Sequence, residues 1–191
     1  MSVPRPMPPT LLVIGVLSAP DFAWPPLLAA LREAFGPEAF VRGPLAFDQT
    51  TYYEAEMGAP LQRRFAAMAA PFDAGRLAAA KLATNAIEAR FAAAGKRRVN
   101  LDPGALSLFN FVLATGKGFT HRPYLGDGIY ADLTLIWQNG GWQDLPWTYP
   151  DYRSAPVKTI LTECRNYCRN QSREAWAIAP DRARAAHGED A

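Results

Sequence analysis

Apolar residues along the chain alternate between short continuous runs and stretches with a helical period. Residues 10–17, Thr-Leu-Leu-Val-Ile-Gly-Val-Leu, form a continuous run rich in Val and Ile that predicts a first strand. Phe22, Leu27, Leu28, Leu31 and Phe35 then recur at helical spacing. Asp21 is the expected cap of that helix, Pro25 and Pro26 fall in its first turn, where proline is tolerated, and Gly36-Pro37 stops it. Residues 38–48 alternate loosely and predict a second strand ending at Asp48. Tyr52, Tyr53, Glu54, Glu56 and Met57 form an acidic, aromatic loop or single helical turn closed by Gly58. A third strand is predicted over 62–68, and an alanine-rich helix over 74–94, ended by Gly95. On that helix Lys81, Thr84, Asn85 and Glu88 share one face, expected to be solvated.

Residues 98–101 predict a short strand running into Asp102-Pro103-Gly104, which reads as a turn because proline fixes φ and glycine tolerates positive φ. A short helix is expected over 106–114. Gly116 and Gly118 mark entry into a β-meander with strands over 119–125, 129–137 and 142–147, joined by Gly126-Asp127-Gly128 and Asn139-Gly140-Gly141. The final helix is predicted over 154–171. Residues 172–191 read as a frayed polar tail and residues 1–9, with four prolines, as an extended leader. This order predicts one α+β domain over 10–171, with a mixed or mainly antiparallel sheet, a C-terminal β-meander and helices on one face of the sheet. A doubly wound parallel sheet needs strands and helices to alternate to the end, and the alternation stops after residue 118.

Composition narrows the class. A chain of 191 residues suffices for one core without disulfides or a structural metal. The formal charge is +2, and Arg63-Arg64 and Lys96-Arg97-Arg98 are short clusters rather than a basic stripe, so nucleic acid is not the expected partner. Cys164 and Cys168, four residues apart, complete an apolar stripe with Val157 and Leu161. That spacing suits neither a zinc knuckle nor a redox pair, and buried free thiols fit a reducing, cytoplasmic setting. The apolar run after Arg5 is short and strand-like, unlike a secretory signal, and no stretch has the ~18 apolar residues of a membrane span.

Nucleotide and hydrolase motifs fail on context. Gly126-Asp127-Gly128-Ile129-Tyr130-Ala131 has the letters of a dinucleotide fingerprint but lies between two predicted strands. Gly116-Lys117-Gly118 lacks the first glycine and the hydroxyl residue of a phosphate loop, and neither a G-x-S-x-G elbow nor an H-E-x-x-H helix occurs. What stands out is polar residues in strand-like surroundings: Asp48, Asn100, Asp102, His121, Arg122, Asp132 and Thr134. By strand parity Tyr130, Asp132 and Thr134 share one face, and Ile129, Ala131, Leu133 and Leu135 take the other, the expected core. A two-residue turn brings His121 onto the Asp132 face, and a three-residue turn sets Arg122 opposite Asp132 and Tyr124 opposite Tyr130. These positions define a candidate site with Asp102, His121 and Asp132 as catalytic groups and Asp48, Tyr53, Glu56, Arg122 and Tyr124 as ligand-binding groups. It suits a small anionic metabolite, or a divalent cation held by the carboxylates; no cofactor is indicated. The structural alternative for Asp132 is a surface cross-strand pair worth ~0.2–1 kcal/mol. The functional alternative is an interaction module using the aromatic segment 137–152.

Several ordered blocks carry a family resemblance. They are Phe47-Asp48-Gln49-Thr50-Thr51-Tyr52-Tyr53-Glu54-Ala55-Glu56-Met57-Gly58, Asn100-Leu101-Asp102-Pro103-Gly104, His121-Arg122-Pro123-Tyr124-Leu125 with Gly128-Ile129-Tyr130-Ala131, and Leu145-Pro146-Trp147-Thr148-Tyr149-Pro150-Asp151-Tyr152-Arg153. Over residues 10–170 the chain resembles the prokaryotic domain of unknown function 4416, a family marked by a Leu-Asp-Pro-Gly-Tyr motif. Ala105 stands where that motif ends in tyrosine. The resemblance implies no activity, fold or catalytic residue.

Overall fold

A computed structural model describes Met7 and residues 10–178. In chain order the elements are β1 (Thr10–Ser18), α1 (Trp24–Phe35), β2 (Glu38–Phe47), α2 (Glu54–Met57), β3 (Leu61–Phe72), a 3-10 turn (Ala74–Arg76), α3 (Leu77–Arg90), β4 (Val99–Leu106), β5 (Asn110–Thr115), β6 (Tyr124–Gly126), β7 (Ile129–Gln138), β8 (Gly141–Asp144), α4 (Pro150–Arg153) and α5 (Ala155–Ile178). The strands form one antiparallel sheet in the order β2-β3-β1-β4-β5-β7-β6, with β8 also on β7. This is an α+β fold, and the sheet is not a closed barrel.

β1 is central and buried along its whole length. Its Leu11 and Val13 pack with Phe65, Phe111 and the Val157, Leu161, Cys164 and Cys168 stripe of α5. Its Leu12, Ile14 and Val16 pack with Leu27 and Leu31 of α1 and Ala80 and Ile87 of α3. Helices therefore cover both faces of the sheet, not one. A strand covered on both faces carries apolar residues at successive positions, which is the unbroken pattern of residues 10–17.

Several local expectations are corrected. α1 starts after Ala23 without a side-chain cap, and Asp21 instead lies 3.5 Å from Arg98. α3 ends at Arg90, before Gly95. The stretch 106–114 is not a helix: Ser107 Oγ accepts from the backbone N–H groups of Phe109 and Asn110 and closes a hairpin from β4 into β5. A short apolar run does not distinguish helix from strand by period, and the hairpin won through pairing of Leu106 with Phe111. In the meander, only Tyr124–Gly126 pairs as β6, and Arg122 N–H donates to Phe119 O in a turn before it. α5 continues past residue 171 to Ile178. The predicted leader, Met7 apart, and the tail beyond 178 lie outside the described residues.

The largest correction concerns Asp102-Pro103-Gly104, which lies inside β4 and makes no turn. β4 pairs with β1 from Val99 to Leu106, but with β5 only from Gly104 to Leu106. Pro103 has no N–H to offer β5 a further rung, and the two strands part there. A Cβ on Gly104 would lie 2.5 Å from two ring carbons of Phe111, so glycine lets that ring cross the strand.

Candidate functional site

The parting of β4 and β5 leaves a cleft of about 740 Å³. β4 lines it with Asn100 and Asp102, β5 with Leu113–Thr115 followed by Gly116 and Lys117, and β7 with Asp132. Register explains the convergence. Phe65, Gly15 and Asp102 form one row across β3, β1 and β4, and Gly104, Leu113 and Asp132 form the next across β4, β5 and β7. Paired residues share a face, so Arg63, two positions from Phe65, joins Asp102 and Asp132 on the side covered by α4 and α5. There Asp151 and Tyr152 of α4 complete the wall. Gly15 makes room for them: a Cβ there would lie 2.9 Å from Tyr152 Oη and 3.1 Å from an Arg63 guanidinium nitrogen.

Arg63 is the hub. It donates to Asp102 Oδ2 at 3.0 Å and to Asp151 Oδ2 at 2.9 Å, and lies against the rings of Phe47 and Tyr152. Asn100 Nδ2 donates to the same Asp102 oxygen at 2.9 Å, while its Oδ1 accepts from Arg97 at 3.0 Å. The Arg97 guanidinium also grips Glu56 through two hydrogen bonds of 2.9 and 2.7 Å, and the Arg97 backbone N–H adds a third at 3.3 Å.

Of the α3 face expected to be solvated, Asn85 is exposed but Lys81, Thr84 and Glu88 are buried, with Lys81, Asn85 and Glu88 lining the cleft. Lys81 Nζ donates to Leu101 O at 2.6 Å and lies 4.0 Å from Asp102 Oδ1 and 3.9 Å from Glu88. Glu88 accepts the Leu101 N–H at 2.6 Å. These contacts exist because β4 lacks a β5 partner at Leu101, leaving its backbone free for α3 side chains.

Burial and charge separate the carboxyl groups. Burial pushes Asp102 up, but the charges of Arg63 and Lys81 and the hydrogen bonds from Arg63 and Asn100 win, and its pKa falls below the ordinary aspartate value. Asp151, on the same guanidinium, goes the other way: burial outweighs Arg63, and the charge of Asp102 adds to the rise. Burial likewise raises Glu88 against the pull of Lys81, and raises the Tyr53 and Tyr152 phenols. The cleft thus sets an aspartate with a lowered pKa beside carboxyl groups with raised ones, a divergence of the kind that acid–base chemistry can use.

The predicted site residues divide. Asp102, Asp132 and Tyr53 line the cleft. Asp132 is 1% exposed, so it is not a surface pair; of the face expected to be core, Ile129 and Leu135 are buried and Ala131 and Leu133 half-buried, so β7 is covered on both sides. Both candidate partners reach it: Arg122 Nε donates to Asp132 Oδ2 at 2.8 Å, and His121 Nε2 lies 3.6 Å from the same oxygen. Tyr124 pairs with Tyr130, the register of the three-residue turn. His121 stands behind Asp132, outside the cleft wall, stacked on Trp147 at 4.6 Å. Glu56 reaches the site only through Arg97, and Asp48 lines a smaller neighbouring cavity of about 270 Å³ that shares Arg63 and Asp151 with the cleft. Tyr124 is exposed, accepts from Gly128 N–H and belongs to the hairpin rather than the cleft.

Arg63, Lys81, Glu88, Lys117, Asp151 and Tyr152 were not anticipated. Arg63 had a signal: it alternates with Leu61 and Phe65 on a buried strand face, where a charge is costly unless paired. Among the described residues no three His, Cys, Asp or Glu side chains come together as a metal site, and Asp102, Asp132 and Asp151 each face an arginine. Within the aromatic segment Trp142 and Tyr152 belong to the core, leaving Trp147 and Tyr149 partly exposed.

No curated protein and no solved structure matches the chain. A family model does match, over residues 8–167, spanning β1 and most of α5 and so the whole wall of the cleft: the chain belongs to the family described as Domain of unknown function (DUF4416).

Proposed function

We propose that this domain binds a small polar molecule in the cleft between β4 and β5 and carries the acid–base groups to transform it. One observation carries the reading: charged side chains of both signs, from β3, β4, β7, α3 and α4, converge on the wall of a single cavity. Its volume is that of a metabolite pocket, and buried charge is too costly to gather in one place without compensation. Polar capacity also remains unused there, since Arg63 Nε, Asp132 Oδ1 and Tyr152 Oη are buried without a hydrogen-bond partner. Asp102 then acts as the fixed anion of the site and Asp151 as the group poised to give up or take a proton. No described helix is long and apolar enough to cross a membrane, and the buried free thiol of Cys164 fits a cytoplasmic setting. The aromatic-segment reading has less support, because of its large aromatic side chains only Trp147 and Tyr149 are exposed, with Trp137 partly buried.

Asn85 of α3 lines the cleft and is exposed. Asn85→Trp should therefore fill the cavity without entering the core. A panel of polar metabolites is screened by thermal shift against wild type and this variant. At least one compound should raise the wild-type Tm and lose that effect in Asn85→Trp, while the unliganded midpoints stay within a few degrees of each other. Equal shifts in both proteins, or none in either, would sink the proposal.

A further inference from the structure

The cations of the cleft are not alike. Arg63, Lys81 and Arg97 are each matched by carboxylates within 4.0 Å. Lys117 has no carboxylate partner among the described residues. It is exposed, its Nζ donates to Tyr52 Oη at 3.0 Å, and it lies 4.5 Å from the Tyr52 ring centroid. Tyr52 and Lys117 come from segments 65 residues apart and meet at the rim of the cavity.

The backbone of Lys117 is pinned from both sides. Its N–H donates to Thr115 Oγ1 at 3.2 Å, and its carbonyl accepts from Arg122 at 2.9 Å. Arg122 is itself held by Asp132 at 2.8 Å and by Tyr149 Oη at 2.6 Å. The buried Asp132–Arg122 pair therefore positions the segment that carries the one unmatched ammonium of the cleft.

We infer that the cleft takes molecules bearing a phosphate or carboxylate group, with Lys117 meeting that anion at the rim and the neutral polar part of the molecule lying inward. This rests on the cleft being a binding site. The interior carboxylates Asp102 and Asp132 repel an anion, while the rim offers a cation whose present partner is a neutral phenol. An incoming anion replaces that phenol as the first partner of Nζ, and a hydrogen bond to an ionised group is the stronger one. Tyr52 and Tyr149, both exposed, lie on the wall of the same cavity.

The test uses the full chain and isothermal titration with inorganic phosphate, succinate, a hexose phosphate and the unphosphorylated hexose. Wild type should bind at least one anionic probe and bind the free hexose at least about ten-fold more weakly than its phosphate. Lys117→Met should weaken the anionic probe about ten-fold or more, Lys117→Arg should keep it within a few-fold, and added salt should weaken wild type more than Lys117→Met. Phosphate preferred over succinate assigns the group as phosphate, and the reverse as carboxylate. Lys117 is exposed, so its variants should melt with wild type. Undiminished binding of the anion by Lys117→Met, or a hexose that binds as well as its phosphate, overturns the inference while leaving the cleft reading to the Asn85→Trp experiment. Compounds that bind neither wild type nor Lys117→Met, with no Asn85-sensitive shift anywhere in the panel, overturn both.

Discussion

A guanidinium held between two carboxylates does not hold them equally. Arg63 donates one hydrogen bond to each of Asp102 and Asp151, yet Asp102 also accepts from Asn100 and lies within reach of Lys81. The ionised form of Asp102 is favoured overall, whereas burial makes that of Asp151 costly. An amide at 151 still accepts from Arg63 and sheds an expensive charge, while an amide at 102 leaves Arg63 and Lys81 undercompensated. Asp102→Asn should therefore destabilise the fold by ~3–5 kcal/mol and Asp151→Asn by ~1 kcal/mol, measured by denaturant unfolding at pH 7. The pH dependence has a definite sign. A folded-state pKa below the ordinary value means that the contribution of Asp102 is complete above about 3.8 and fades as pH falls further. The gap between wild type and Asp102→Asn should thus narrow in acid. Equal losses at pH 7, or a gap that widens in acid, would show that the asymmetry is wrongly assigned.

At the scale of elements, the first strand, the first helix, the meander turns and the cysteine stripe were legible, because each has a period or turn chemistry of its own. The role of Asp102-Pro103-Gly104 was not. Turn residues act by local geometry, but here each answers to another element: Asp102 to Arg63 on β3, Pro103 to the missing rung toward β5, Gly104 to Phe111. The α3 face was misread for the same reason, since Lys81 and Glu88 look solvated until β4 is found bare beside them. The lining of the cleft was half legible: Asp102, Asp132 and Tyr53 are on its wall, but Arg63 and Asp151 come from strands and helices whose arrangement no local pattern reveals. The junction can be tested directly. Gly104→Ala places a Cβ 2.5 Å from the Phe111 ring carbons and should cost ~1–3 kcal/mol. Phe111→Leu shortens the obstructing side chain, so the double variant should be less destabilised than the sum of the single ones. Strict additivity would mean that the glycine serves some other purpose.

Across the whole molecule, the cleft divides the sheet into unequal halves. β1 is paired on both edges over nearly its full length, to β3 and to β4, and lies in the middle of both helical layers. Beyond the cleft, β5 joins β4 through three residue pairs, and β7 carries two short partners, β6 and β8. Few rungs and short strands make the second half the cheaper one to open, because local opening follows how many contacts must break at once. Native-state hydrogen exchange should accordingly find the slowest amides in β1 and β3, exchanging by global unfolding. Amides of β6, β7 and β8 should exchange through a smaller opening, lower in free energy by more than ~1 kcal/mol. A molecule bound between β4 and β5 touches both halves, so it should slow β7 exchange by raising the cost of that opening as well as the cost of global unfolding. Uniform protection across all eight strands would mean that the three rungs at Gly104–Leu106 hold the halves as firmly as β1 holds its neighbours, and the cleft would then be a fixed cavity rather than the seam of a sheet that opens.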